Sequence, residues 1–124
     1  MKERVLASLL MLFVTVSYAN DLSFKEALEL AHKSEEGLNK EASHRLLSAQ
    51  GKLMGSAMPS CFNKAGPPPD FSIVVQINES GKVVKSWLNT NTSFTSCFQN
   101  IMVNSLAFTP KDQPFFTAIE YTNK

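Results

Sequence analysis

Apolar residues fall in one near-continuous run at the start of this chain, at helical spacing through its first half, and in alternation through much of its second. The opening run extends from Val5 to Val16, interrupted by Ala7, Ser8 and Thr15 and preceded by Lys2 and Arg4. Ser17-Tyr18-Ala19 then places small residues at the two positions a signal peptidase reads. This is the layout of a cleaved leader over residues 1–19, and the run is short for a membrane span. The mature chain is expected to begin near Asn20.

Helical spacing follows. Ser23 and Glu26 form a capping box, and Phe24, Ala27, Leu28 and Ala31 recur at i, i+3, i+4 and i+7, one stripe of a helix that Gly37 ends. Ala42, Leu46, Ala49 and Leu53 mark a second helix with Asn39 as its cap, and Gly51 and Gly55 blur its end. Met58-Pro59-Ser60-Cys61-Phe62 reads as a short further helix with proline in its first turn. Ala65-Gly66-Pro67-Pro68-Pro69-Asp70 is a stiff extended connector.

Alternation begins at Phe71. Phe71, Ile73, Val75 and Ile77 share one face, against Ser72, Gln76 and Asn78 on the other, which predicts a strand over 71–78. Glu79-Ser80-Gly81-Lys82 is the turn. The return strand, 83–89, carries apolar groups on both faces at Val83-Val84 and Trp87-Leu88, which a bulge or two-sided burial explains. A cap-rich break at Asn89–Ser93 leads into a helix marked by Phe94, Cys97, Phe98, Ile101 and Met102 and running to about Leu106. After the loop Thr109–Pro114, the pattern Phe115, Thr117, Ile119, Tyr121 predicts a last strand over 115–122. The expected fold is α+β: a helical front, 20–58, then a β-β-α-β unit, 59–124, in one domain with a small antiparallel sheet.

Composition narrows the class. Residues 20–124 suffice for one small domain with a modest core. Taking Lys2, Arg4 and Glu3 from twelve basic and eleven acidic side chains leaves ten of each. A neutral chain lacks the footprint of a nucleic-acid binder. Cys61 and Cys97 are thirty-six positions apart. Redox dithiols favour a C-x-x-C arrangement, and a zinc site wants about four ligands, whereas His32 and His44 have no ligand spacing. A structural disulfide between helices is therefore expected, and no cofactor or metal. In a loop of this size it stabilises by roughly 4 kcal/mol in the chain-entropy model.

From Ser60 to Tyr121 the sequence resembles the TonB C-terminal fold, and most closely its AgmX/PglI type. The pieces that carry the resemblance are Cys61-Phe62, Phe71–Ile77, Ser80-Gly81-Lys82-Val83, Ser96-Cys97-Phe98 and Phe108-Thr109-Pro110. Members usually follow a retained membrane helix and a Pro-rich spacer; here a cleavable leader and two short helices precede the unit. One extra residue also separates Phe108 from Pro110. The resemblance implies a bacterial envelope setting and partner binding through an edge strand. It does not imply energy transduction, which needs an inner-membrane anchor.

No nucleophile elbow or phosphate loop is present. His32, His44, Glu35-Glu36 and Asp70 are weighed as acid–base groups and read more simply as solvated or capping side chains. The expectation is a non-catalytic, periplasmic protein-binding domain, an envelope adaptor or docking module. An immunity-type inhibitor of a periplasm-acting toxin is the alternative, a small hydrolase a third, and an extracellular location the alternative compartment. The partner is another envelope protein or a toxin, with neither nucleic acid nor a stable membrane anchor. Candidate partner-binding residues are Phe115, Phe116, Thr117, Ile119 and Tyr121 on the last strand, and Trp87.

Overall fold

The computed structural model describes residues 22–123; the expected leader, 1–19, lies outside them. Helices α1 (Phe24–Glu36) and α2 (Lys40–Ala65) precede strands β1 (Phe71–Ile77) and β2 (Val83–Leu88), helix α3 (Ser93–Ser105) and strand β3 (Phe115–Tyr121). The three strands form one antiparallel sheet in the order β2-β1-β3. This is the α+β fold read from the sequence.

The caps are where the side chains place them. Ser23 and Glu26 close a capping box on α1, and Asn39 Oδ1 accepts the Ala42 N–H at 2.8 Å to start α2. Thr92 and Thr95 make a second box on α3. The buried Thr95 hydroxyl also donates to Thr90 O at 2.7 Å, so its burial leaves no polar atom unpaired.

Helix α2 corrects the expected break near residue 58. Met58–Phe62 is no separate helix; it is part of one 26-residue element with Pro59 inside. Proline withholds the bond to the carbonyl four residues back, but that residue, Gly55, is exposed, so solvent reaches it. The buried positions Leu46, Leu53, Ala57 and Cys61 continue in phase across the proline. Burial on both sides of the defect outweighs local propensity. The helical front and the β-β-α-β unit therefore share a helix.

Both faces of the sheet are covered. Phe71, Ile73, Val75 and Ile77 point to one face and join Leu46, Leu53, Ala57 and Cys61 of α2, Phe94, Phe98 and Met102 of α3, and Phe108. Phe71 meets Phe98 edge-on at 5.1 Å between ring centroids. The Cys61–Cys97 disulfide ties α2 to α3 over this face, with 5.7 Å between Cα atoms. On the opposite face Val74 and Phe116 pack with Ala27 and Ala31 of α1. Val74 is thus fully buried on the side read as polar. The two alanines let the α1 backbone lie close to the strands.

The hairpin turn is held by Asn78, whose Oδ1 accepts from Ser80 N–H (3.0 Å), Ser80 Oγ (2.8 Å) and Lys82 N–H (2.9 Å). Gly81 takes φ +88°, the left-handed conformation the turn requires. The bulge expected in the return strand lies there: Val84 is the extra residue between Val83 and Lys85, which pair with Ile77 and Gln76 of β1.

Candidate functional site

An edge strand is a binding site only where its outward backbone groups are free. The β3 edge is largely not. Ala118 N–H and C=O point away from β1, and both are taken: the N–H donates to Glu35 Oε2 at 3.1 Å, and the carbonyl accepts from Gln50 Nε2 at 3.3 Å. Two residues earlier, Phe116 N–H donates to Ser34 Oγ at 3.2 Å. The buried Thr117 hydroxyl completes the network, donating to Glu35 Oε2 at 2.6 Å and accepting from Gln50 Nε2 at 3.0 Å. The end of α1 and the middle of α2 thus stand in for a fourth strand.

The candidate partner-binding side chains on β3 are oriented to match. Phe115, Phe116, Thr117 and Ile119 are buried, and Tyr121 is half-buried against Phe71. Trp87, on β2, packs its ring 5.8 Å from that of Phe116, and its indole N–H donates to Leu22 O at 3.0 Å. It fastens the start of the described chain to the sheet.

The β2 edge differs. Asn89 N–H donates to Ser72 O at 3.3 Å, and Ser72 N–H to Asn89 Oδ1 at 2.8 Å. This sets the phase of the antiparallel ladder: Trp87 and Lys85 face β1, while Ser86 and Leu88 turn their N–H and C=O outward. Among the described residues, no hydrogen bond reaches those outward groups. Ser86 Oγ is held separately, on the α3 side, by Gln99 Nε2 at 2.9 Å. Beside this edge Val84 is 55% exposed.

The titratable candidates disperse. His32 Nε2 lies 3.1 Å from Glu120 Oε2 on the exposed α1–β3 surface, and that hydrogen bond is the main reason its pKa is raised above the ordinary value. His44 is exposed on α2, in a shallow depression shared with Lys40, Glu41, Arg45 and Ser48. Among the described residues, no hydrogen bond links either histidine to a hydroxyl. Glu35 is the β3 seal, Glu36 is exposed, and Asp70 Oδ1 accepts Asn123 N–H at 2.6 Å. The described residues hold no group of three or more His, Cys, Asp or Glu able to bind a metal.

Sequence reasoning did not find Ser34, Glu35 and Gln50 as the seal of β3. Their partners lie 67 to 83 positions away, and a polar residue near a helix end carries no local mark of that role. Comparison with family models, curated proteins and solved structures finds no match for this chain.

Proposed function

We propose that this chain is a non-catalytic protein-binding domain of the bacterial cell envelope, and that it docks an extended segment of a partner along β2. The observation that carries the reading is the inequality of the two sheet edges. Side chains close β3 at Phe116 and Ala118, while no described residue bonds the outward backbone of Ser86 and Leu88. A segment added there gains main-chain hydrogen bonds from the open groups and an apolar neighbour in Val84. The bulge at Val84 and the lysines at 82 and 85 limit the edge, as they do on strands kept from indiscriminate pairing. The resemblance to the TonB C-terminal fold, the leader expected from the sequence and the lack of a nucleophile motif in the sequence favour the same reading.

The test begins with a pull-down from envelope extract using oxidised protein. Ser86→Pro then removes an outward N–H without removing a ladder bond, because proline is tolerated where the N–H faces solvent. Ser86→Ala controls for the lost Gln99 contact. The proposal expects the alanine variant to bind and the proline variant, folded by circular dichroism, to lose the partner. In the wild-type complex the Ser86 and Leu88 amides should gain protection from hydrogen exchange. A folded proline variant with full affinity, or unchanged exchange at both amides, would overturn it.

A further inference from the structure

Independently of the β2 edge, a groove of about 730 Å³ opens where α2, the end of α3, the hairpin turn and the loop after α3 converge. Its α2 wall is one helical face: Arg45, Ser48, Lys52 and Ser56 recur at i, i+3, i+7 and i+11. Facing it are Asn104 and Ser105 at the end of α3, with Ser80 and Thr109 at the side. Leu53, Leu106 and Phe108 supply apolar surface. The lining contains two cations, several hydroxyls and no carboxylate.

Ser56 Oγ donates to Leu53 O at 3.2 Å, Ser80 Oγ to Asn78 Oδ1 at 2.8 Å and Asn104 Nδ2 to Asn100 O at 2.8 Å, so these groups offer mainly their oxygens as acceptors, and the spare donors lie on α2. Arg45 uses Nε to reach Glu41 Oε2 at 2.8 Å, and its guanidinium lies 5.2 Å above the Phe108 ring. This fixes the plane and leaves the terminal nitrogens as donors. Glu41 offsets part of that charge but does not line the groove. Lys52 is exposed, and no described residue pairs with its ammonium. Across the groove, the last turn of α3 closes with Leu106 N–H to Met102 O at 3.0 Å, and Asn104 and Ser105 line that side. The wall is also preformed: a Cβ at Gly81 would come within 3.0 Å of Thr109 Oγ1, so turn and loop already touch.

We infer that this groove binds a short saccharide bearing a carboxylate or phosphate. Cations on one wall suit the anion, and the Asn104 amide with the hydroxyls of Ser80, Ser105 and Thr109 on the other sides suit sugar hydroxyls. The apolar surface suits the C–H face of a ring. A bare anion would leave those neutral groups unused, and the C-terminal end of α3 disfavours negative charge placed against it. The volume lies within the usual range for ligand sites.

Isotope-labelled oxidised protein would be titrated with digalacturonate, glucose 6-phosphate, maltose and inorganic phosphate, reading amide shifts. At least one acidic sugar is expected to move Lys52, Gly81 and the 105–109 backbone, with maltose and phosphate about tenfold weaker or worse. Whichever acidic sugar binds identifies the anion. Lys52→Gln, an exposed substitution that leaves the fold intact, should weaken that sugar about fivefold. Shifts mapping elsewhere, equal binding of maltose or of phosphate alone, no response to either acidic sugar, or an unaffected Lys52→Gln would overturn the inference.

Discussion

The two faces of the sheet are secured by different means. Over one, α2 and α3 bury a contiguous core built on Phe71, Ile73, Phe98 and Met102, and a disulfide joins them. Over the other, α1 packs Ala27 and Ala31, flanked by the half-buried Phe24, Leu28 and Leu30, against Val74 and Phe116. Less of this second core is fully buried, and burial energy follows area. Polar contacts add to the attachment of α1: Ser34 and Glu35 on β3, His32 with Glu120, and Trp87 with Leu22 O. The first face sets global stability. The second governs whether β3 is sealed, because the same hydrogen bonds hold α1 and close the edge.

The largest effect should come from cutting the staple on the first face. Replacing Cys61 and Cys97 together by serine frees a loop whose closure is worth roughly 4 kcal/mol in the chain-entropy model. That is a large share of the 5–15 kcal/mol typical of a small domain. Urea denaturation followed by far-UV circular dichroism should show a midpoint far below that of the oxidised protein. Both faces should be lost in one transition, since α1 has too small a core to persist alone. A midpoint near that of wild type would mean that the first face does not depend on its staple, and the contrast would weaken.

The seam between the faces gives an intermediate effect. Glu35→Ala removes the acceptor of both Ala118 N–H and Thr117 Oγ1, while Gln50 still reaches Thr117. The cost is about 1–2 kcal/mol, the range for a lost hydrogen bond that leaves a partly buried donor. Hydrogen exchange gives the sharper readout. The Ala118 amide should exchange much faster, while Thr117 and Ile119, whose amides face β1, should stay protected. Concentration-dependent association should also appear as the edge opens. Equal acceleration at all three amides would show that β3 itself had melted, not that its seal had been lifted.

This seam also marks what the sequence could reveal. The caps at Ser23 and Asn39, the hairpin at Gly81 and the strand starting at Phe71 are local chemistry, and each is legible; at α3 the sequence narrows the cap only to the break 89–93, within which Thr92 takes the role. The disulfide follows from the expectation of export and from spacing. Val74 is invisible to alternation, which assigns one buried face per strand, and nothing within 71–78 announces that α1 will cover the other. Pro59 suggests a helix start for the same reason: the packing that carries α2 through it comes from distant elements. Ser34, Glu35 and Gln50 could not be assigned, since their role exists only once β3 lies beside them. The open β2 edge was equally hidden, because an edge is a property of strand order, not of any one strand.

The smallest effect concerns pH and the outer contact of the second face. The hydrogen bond that His32 donates to Glu120 raises the His32 pKa, with slight burial opposing it and the charges of Glu120, Glu35 and Glu36 adding electrostatic support. A raised pKa means that the fold favours the imidazolium. Its contribution is fully present below the unfolded histidine value of about 6.5 and is lost as pH climbs through the folded value. The α1 attachment should accordingly tighten in mild acid. The increment is small, because the two side chains are 48% and 51% exposed and water screens the pair. Urea midpoints at mildly acidic and mildly basic pH, compared between wild type and Glu120→Gln, isolate it from the other titrating groups. Wild type should show the larger advantage on the acid side. If the two proteins respond identically, the His32–Glu120 contact does not help hold α1, and the second face rests on its seam and its small core alone.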